Sequence, residues 1–110
     1  MKEIDQYIFF DLYQDFTDST AIYPPEKGLE YTALGLASEA GEFAGKVKKM
    51  IRDKTYDTDA MIAELGDVLW YVARAAAELD VHLSDVAKDN VEKLKSRMER
   101  NVVKGDGDNR

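Results

Sequence analysis

Residues 29–50 read LEYTALGLASEAGEFAGKVKKM, and apolar side chains recur along them with the spacing of one helical face. The interval alternates between four and three residues, through Leu29, Ala33, Leu36, Ala40, Phe43, Val47 and Met50. This repeat predicts a long amphipathic α-helix that buries one stripe. We expect the helix to run from about Glu26 to Ile51, because Pro24 and Pro25 exclude a regular helix immediately before it.

The rest of the chain carries three more helical patterns and no convincing strand. The predicted helices cover residues 2–16, 59–80 and 84–100. The predicted N-cap of the helix at 84–100 is Ser84, and that of the helix at 59–80 is either Asp57 or Thr58. Their side-chain oxygens can accept hydrogen bonds from the first helical turn. Four amphipathic helices joined by short loops predict an all-α fold, a small antiparallel four-helix bundle.

The length of 110 residues predicts one helical domain, covering residues 1–100. Residues 101–110 contain two glycines and no periodicity, so we expect a flexible C-terminal tail. The fourth helix is expected to be buried through Val86, Val91, Leu94 and Met98. A chain this short gains a limited core, and apolar positions lie outside the main stripes. We therefore expect a homodimer that completes the core.

Composition excludes several classes of function. The chain has 22 acidic and 15 basic residues, a net charge of −7, so we expect no nucleic-acid partner and no membrane-surface partner. It contains no cysteine, which excludes disulfides, thiolate zinc sites and cysteine nucleophiles, and its one histidine is His82. No apolar run reaches the ~18 residues of a membrane span, and no signal peptide is visible. We expect a cytoplasmic protein.

Two pairs of acidic residues stand beside the apolar stripes of the second and third helices. Glu39 and Glu42 form one pair, and Glu64 and Asp67 form the other, each at i, i+3 spacing on one helical face. Twenty-one residues separate the pairs, which is enough for one helix to end and the next to return antiparallel. The two pairs can then face each other across the bundle.

Four carboxylates in one place need a compensating charge. Two of them ~5 Å apart repel by roughly 3 kcal/mol at an effective dielectric of ~20, so the group needs protons or cations. Oxygen donors without nearby Cys or His suit Mg²⁺ or Mn²⁺. Acids at this spacing are also common on solvated helix faces, and Glu42 with Lys46 would make an ordinary i, i+4 ion pair. Spacing alone leaves both interpretations open.

Glycines and basic residues add two further observations. Gly41, Gly45 and Gly66 lie mid-helix near the acids, which indicates either room for a ligand or tight packing of helices. A stripe of polar and basic residues on the fourth helix can bind a polyphosphate or form an ordinary charged face. Its members are Asn90, Lys93, Arg97 and Arg100. Trp70 and Tyr71 are typical of a core or an interface, although either can contact a nucleobase.

The two acidic pairs, in this order and separation, resemble the signature of the MazG-like all-α nucleoside triphosphate pyrophosphohydrolases. The strings LGLASEAGE at 34–42 and ELGDVLWY at 64–71 strengthen the resemblance. So do Asn90-x-x-Lys93-Leu94 and the tail GDGDNR at 105–110. The similarity covers nearly the whole chain from Tyr7 onward, as one short domain.

The resemblance implies a Mg²⁺-dependent enzyme, with Mn²⁺ as a substitute, that cleaves a (d)NTP substrate between the α- and β-phosphates. The products are a nucleoside monophosphate and pyrophosphate, in a house-cleaning or pool-control role. Glu39, Glu42, Glu64 and Asp67 would be the metal ligands, and Glu39 or Glu42 the catalytic base. The substrate-binding candidates are Asn90, Lys93, Lys46 and Arg97. Family members form dimers or dimers of dimers.

Two alternatives accompany this hypothesis. Phosphoribosyl-ATP pyrophosphohydrolases, a related branch, commonly carry doubled glutamates at the first motif, whereas here Ser38 precedes Glu39. That substrate is therefore a weaker candidate. The chain could also be a non-catalytic helical interaction module that has kept the bundle, in which case metal should not stabilise it.

Overall fold

The structure, a computed structural model, describes residues 6–110 of the chain. It contains four α-helices in that range, and a 3₁₀ turn at Pro25–Lys27 precedes the second. The helices are α1 (Ile8–Asp18), α2 (Gly28–Asp53), α3 (Thr58–Glu78) and α4 (Leu83–Glu99). No strand is present in residues 6–110, so the predicted all-α, four-helix fold is confirmed. The predicted start of the first helix at residue 2 lies outside the described residues.

Local chemistry explains where α2 and α3 begin and end. Pro24 is extended, Pro25 begins the 3₁₀ turn, and α2 begins directly after that turn. Lys54 follows α2 in the left-handed region, with φ of 54°, and ends the helix. Asp57 then accepts a 3.0 Å hydrogen bond from the backbone N–H of Ala60. The prediction of Asp57 as the N-cap of α3 is confirmed.

The predicted Ser84 cap of α4 is wrong. The helix begins one residue earlier, at Leu83, and the caps of its first turn come from α1. The backbone N–H of Ser84 donates to Asp11 Oδ1 at 3.0 Å, and the Ser84 hydroxyl donates to Asp11 Oδ2 at 2.7 Å. The N–H of Leu83 donates to Gln14 Oε1 at 2.9 Å. Two of the otherwise unpaired N–H groups of α4 are thus satisfied by side chains of another helix.

The buried amide of Gln14 joins three elements. Besides accepting from Leu83, it donates from Nε2 to the carbonyl of Ala73 in α3 at 3.3 Å. The same nitrogen donates to the carbonyl of Val81, in the loop before α4, at 3.1 Å. A nearby buried guanidinium, that of Arg74, donates to Thr17 and Asp18 of α1. Polar contacts therefore fix α1 against α3 and the start of α4.

α2 and α3 form the most extensive helix pair, and they are antiparallel. Tyr71 lies against Gly35, and Lys46 lies beside Glu64, so positions further along α2 meet positions earlier in α3. α1 packs on α3 and α4, while among residues 6–110 no packing of α4 on α2 is seen. This arrangement places the two acidic pairs on facing helices.

One copy of the chain leaves much apolar surface uncovered. Met98 is 70% exposed, and Val86 and Leu94 are also exposed, so their predicted burial is wrong for a single chain. The reason is that α4 packs on only two helices. Phe9 is 72% exposed on α1, and Leu34 is exposed on α2. Apolar side chains in such numbers are typical of a surface that another chain covers.

Candidate metal and nucleotide site

Three carboxylates meet where α2 faces α3. One oxygen each from Glu39, Glu64 and Asp67 lies within 4.8 Å of the other two. Glu42, the fourth predicted ligand, is exposed one turn further along α2 and does not join this group. The antiparallel pairing thus brings together three of the four acids that the sequence singled out.

The electrostatics of this carboxylate group are unfavourable without a cation. Burial, followed by the charges of Asp67, Glu64 and Glu42, raises the pKa of Glu39. The side chain of Glu64 is only 15% exposed, and its Oε2 is buried without a hydrogen-bond partner. A weak compensating charge comes from Lys46, whose Nζ lies 3.9 Å from Glu64 Oε1. A buried carboxylate oxygen without a partner is costly.

These residues fit a hard divalent cation. All three donors are carboxylates, which Mg²⁺ and Mn²⁺ prefer, and their oxygens are close enough to share one ion. A cation would also give the unpaired oxygen of Glu64 a partner. The three carboxylate donors and the unpaired oxygen of Glu64 therefore both favour a divalent cation as the ligand.

An aromatic pocket adjoins the carboxylate group. Its volume is about 370 Å³, and two of its walls are the carboxylates of Glu39 and Asp67. The remaining lining is largely aromatic and comes from α2, α3 and the segment before the 3₁₀ turn: Thr20, Ile22, Tyr23, Tyr31, Trp70 and Tyr71. The pocket is therefore acidic on one side and aromatic on the other.

The rings of this aromatic pocket support one another. Trp70 and Tyr71 meet edge to face with centroids 4.9 Å apart, and Tyr23 stacks on Tyr31 at the same separation. Trp70 Nε1 donates a 2.8 Å hydrogen bond to Thr20 Oγ1, which fixes the indole. Burial, and then the neighbouring Tyr31, raise the pKa of Tyr71, so the phenol stays neutral near pH 7.

The mid-helix glycines near the acids lie next to open space within this chain. A Cβ added at Gly41, Gly45 or Gly66 would meet no neighbouring heavy atom within 4 Å. Close packing among the described residues therefore does not account for these three glycines. Gly35 does allow close packing, because an added Cβ would overlap the ring of Tyr71, and Gly28 at the start of α2 lies similarly close to the side chain of Glu78.

The predicted substrate-binding residues divide between two places. Lys46 lies at the carboxylate group, as its contact with Glu64 shows. Asn90 and Lys93 line a separate cavity of about 350 Å³ on α4, and Lys93 and Arg97 contact Asp108 of the tail. The aromatic pocket that Glu39 and Asp67 line includes neither Asn90 nor Lys93 among the described residues of its wall.

Comparison with known proteins assigns the chain to a family. A family model for the MazG nucleotide pyrophosphohydrolase domain matches residues 27–102, which contain α2, α3 and α4. The chain belongs to the MazG nucleotide pyrophosphohydrolase family. The MazG chain is also similar to the Gene 37 protein of Mycobacterium phage L5, at 50% identity over 111 residues. The match covers 91% of this chain and 97% of the phage protein. No solved structure matches significantly.

Sequence reasoning left the aromatic side of the site undecided. Tyr71 follows Asp67 by one helical turn, and Tyr31 precedes Glu39 by two, so both share a face with an acid. That spacing could have assigned both rings to the pocket. Thr20 and Tyr23 carry no such signal, because they lie in the irregular segment before α2. None of the helices in residues 6–110 is long and apolar enough to span a bilayer.

Proposed function

We propose that this MazG chain is a Mg²⁺-dependent nucleoside triphosphate pyrophosphohydrolase. It would cleave a (d)NTP between the α- and β-phosphates, giving a nucleoside monophosphate and pyrophosphate, and so control or cleanse a nucleotide pool. The observation that carries the proposal is the group of Glu39, Glu64 and Asp67 within 4.8 Å, directly beside an aromatic pocket. A metal site would bind the phosphates of a nucleoside triphosphate, and the adjoining aromatic pocket would bind its base.

The metal ligands in this proposal are Glu39, Glu64 and Asp67, and proteins of the MazG family generally depend on a divalent metal. When bound, Mg²⁺ or Mn²⁺ supplies charge neutralisation for the phosphates and makes water more acidic. Lys46, 3.9 Å from Glu64, adds a positive charge at the same place and can contact a phosphate oxygen.

Glu42 is our choice for the general base. It lies one turn from Glu39, near enough for its charge to raise the pKa of Glu39, yet outside the group of three. A carboxylate that is not needed as a metal ligand can accept the proton of the attacking water. Glu39 then serves chiefly to hold the metal, and Glu42 completes the set of four acids.

The aromatic pocket would hold the nucleobase. Trp70, Tyr71, Tyr23 and Tyr31 offer ring faces and edges for stacking, while the triphosphate extends toward Glu39 and Asp67. The volume of about 370 Å³ lies at the small end of the range for ligand pockets, which suits a base and part of a sugar.

A second copy of the chain would complete the site. The exposed apolar faces that include Phe9, Leu34 and Met98 support a homodimer, or a dimer of dimers. In such an assembly Asn90, Lys93 and Arg97 can approach the acids of the partner, since within one chain Asn90 and Lys93 line a cavity separate from the aromatic pocket. Basic groups on one side and metal on the other would then enclose the triphosphate.

The decisive experiment is pyrophosphate release from a panel of (d)NTPs with Mg²⁺. We expect release from at least one nucleotide and none after Glu42→Gln or Asp67→Asn. Glu30→Gln is the matched control, because Glu30 lies on α2 in an exposed ion pair with Lys27. Release of orthophosphate alone, or activity that survives both site substitutions, would overturn the mechanism. An unchanged melting temperature with Mg²⁺ would instead favour a non-catalytic helical module.

A further inference from the structure

The C-terminal tail, residues 101–110, folds back along the last turns of α4. Lys93 Nζ donates to Asp108 Oδ1 at 3.2 Å, and Arg97 Nη2 donates to the same oxygen at 3.2 Å. Arg97 Nη2 also donates to the backbone carbonyl of Asp108 at 3.1 Å. Lys93 and Arg97, one turn apart and here called the cation pair, therefore share one carboxylate oxygen of the tail.

The cation pair has more donor capacity than the tail uses. Arg97 is only 5% exposed, and its Nε is buried without a hydrogen-bond partner. The guanidinium is thus covered by the tail but only partly satisfied by it. A phosphate group, with three oxygens and more negative charge, can accept from a lysine and from two guanidinium nitrogens together.

The contact made by Asp108 is easy to displace. Its side chain is 81% exposed, and its ion pair with Lys93, which is itself 41% exposed, faces solvent and contributes little to stability. Hydrogen bonds from Lys93 and then Arg97 hold the pKa of Asp108 below its usual range, so the carboxylate is charged near pH 7. The tail thus presents a permanent but weakly held anion to the cation pair.

The tail keeps its own shape while covering Arg97. Gly107 adopts a left-handed φ of 79°, and Arg110 donates to the carbonyls of Val102, Val103 and Gly107. Arg100 donates to the carbonyl of Arg110 at 2.8 Å. The contacts of Arg110 close a small loop within the tail, and Arg100 holds that loop at the end of α4.

We propose that Asp108 competes with phosphate for the cation pair, and that the tail occupies the cation pair until an oxyanion displaces the tail. The inference rests on the proposed function, because the displacing group would be a phosphate of the (d)NTP. Tail release would then accompany substrate binding, and the tail would lower the affinity of the free enzyme for other anions.

The test measures binding of inorganic tripolyphosphate by calorimetry, without metal and without turnover. We compare the full-length chain with Asp108→Asn and with Asp106→Asn, which removes the same charge from an exposed tail position. Asp108→Asn should bind about three- to tenfold more tightly than Asp106→Asn, the effect of removing the ion pairs of one solvent-exposed carboxylate. Equal affinities of the two variants would overturn the proposal.

Tryptic cleavage after Lys104, in the tail, provides a second measurement. Tripolyphosphate should accelerate this cleavage in the unsubstituted chain, because it releases the tail, and unchanged cleavage under saturating tripolyphosphate would contradict the proposal. If tripolyphosphate releases the tail but no nucleotide is hydrolysed, the proposed function fails and the proposal that Asp108 competes with phosphate stands. If nucleotides are hydrolysed and the two variants bind tripolyphosphate equally well, the proposal that Asp108 competes with phosphate fails and the proposed function stands.

Discussion

Gly35 offers the sharpest test of the α2–α3 interface. Substitution by Ala places a methyl group where the Tyr71 ring now lies. Overpacking of this kind costs about 1–3 kcal/mol. The ring is confined by Trp70 and Tyr31, with centroids 4.9 and 6.4 Å away, but it borders the aromatic pocket and can yield in that direction. We therefore expect a packing cost at the lower end, about 1–2 kcal/mol.

Gly41→Ala is the matched control for this substitution. Both glycines lie inside α2, so each replacement gains about 1 kcal/mol of helix propensity, and that gain cancels in the comparison. Nothing lies within 4 Å of a Cβ at Gly41, so this variant should be more stable than Gly35→Ala by the full packing cost.

Urea unfolding at matched protein concentrations measures the difference. Circular dichroism follows the helices, and the fluorescence of Trp70, the one tryptophan in the sequence, reports on its contact with Tyr71. Gly35→Ala should also shift that fluorescence in the folded state, whereas Gly41→Ala should not. A Gly35→Ala variant as stable as Gly41→Ala, with unchanged fluorescence, would show that Tyr71 does not pack on α2 as described.

Three further predictions concern the metal, pH and assembly. Mg²⁺ at a hundredfold excess over its Kd should stabilise the chain by about 2.7 kcal/mol, as measured by thermal unfolding. Glu64→Gln should reduce this stabilisation, and a variant stabilised as much as the unsubstituted chain would show that Glu64 is not a metal ligand. Hydrogen bonds from Ser84 hold the pKa of Asp11 below its usual range. The charged Asp11 carboxylate therefore stabilises the fold fully above about pH 4, the pKa of Asp in the unfolded chain, and this stabilisation is lost as the pH falls through the pKa in the folded chain. Asp11→Ala should therefore lower the free energy of unfolding by about 1 kcal/mol at neutral pH, and by progressively less in acid, as measured by urea unfolding. Asp15→Ala is the control, and a loss of stability from Asp11→Ala that does not change with pH would contradict the prediction. Phe9→Ser should shift sedimentation toward monomer, and an unchanged sedimentation profile would exclude Phe9 from the interface.

Local sequence patterns predicted the helices, and with them the approach of three acids from α2 and α3. The apolar repeat sets each helix, and a short connection forces α3 to return along α2, which brings Glu39 to Glu64 and Asp67. Glu42 does not join the group, although Glu64 and Asp67, which have the same i, i+3 spacing on α3, both do. Spacing along one helix therefore does not decide which acids meet, because that depends on how α2 and α3 pack.

Long-range contacts account for what the sequence did not predict. Ser84 looked like a cap because it begins a polar first turn, but the cap is Asp11, 73 residues away in the chain. No local pattern distinguishes Gly35 from Gly41, because the difference between them is the Tyr71 ring of another helix. The exposure of Met98 also reflects long-range packing, because α4 contacts only α1 and α3 among the helices of residues 6–110.

The borrowed cap of α4 limits how the chain can be divided. Because Asp11 and Gln14 satisfy the first N–H groups of α4, this helix is not an autonomous segment. A peptide of residues 83–99 would begin with frayed ends, and a chain trimmed to α2, α3 and α4 would lose the anchor of its last helix. Anyone who grafts this domain, or shortens it for crystallisation, should keep α1 even though it supplies none of the three carboxylates that meet between α2 and α3.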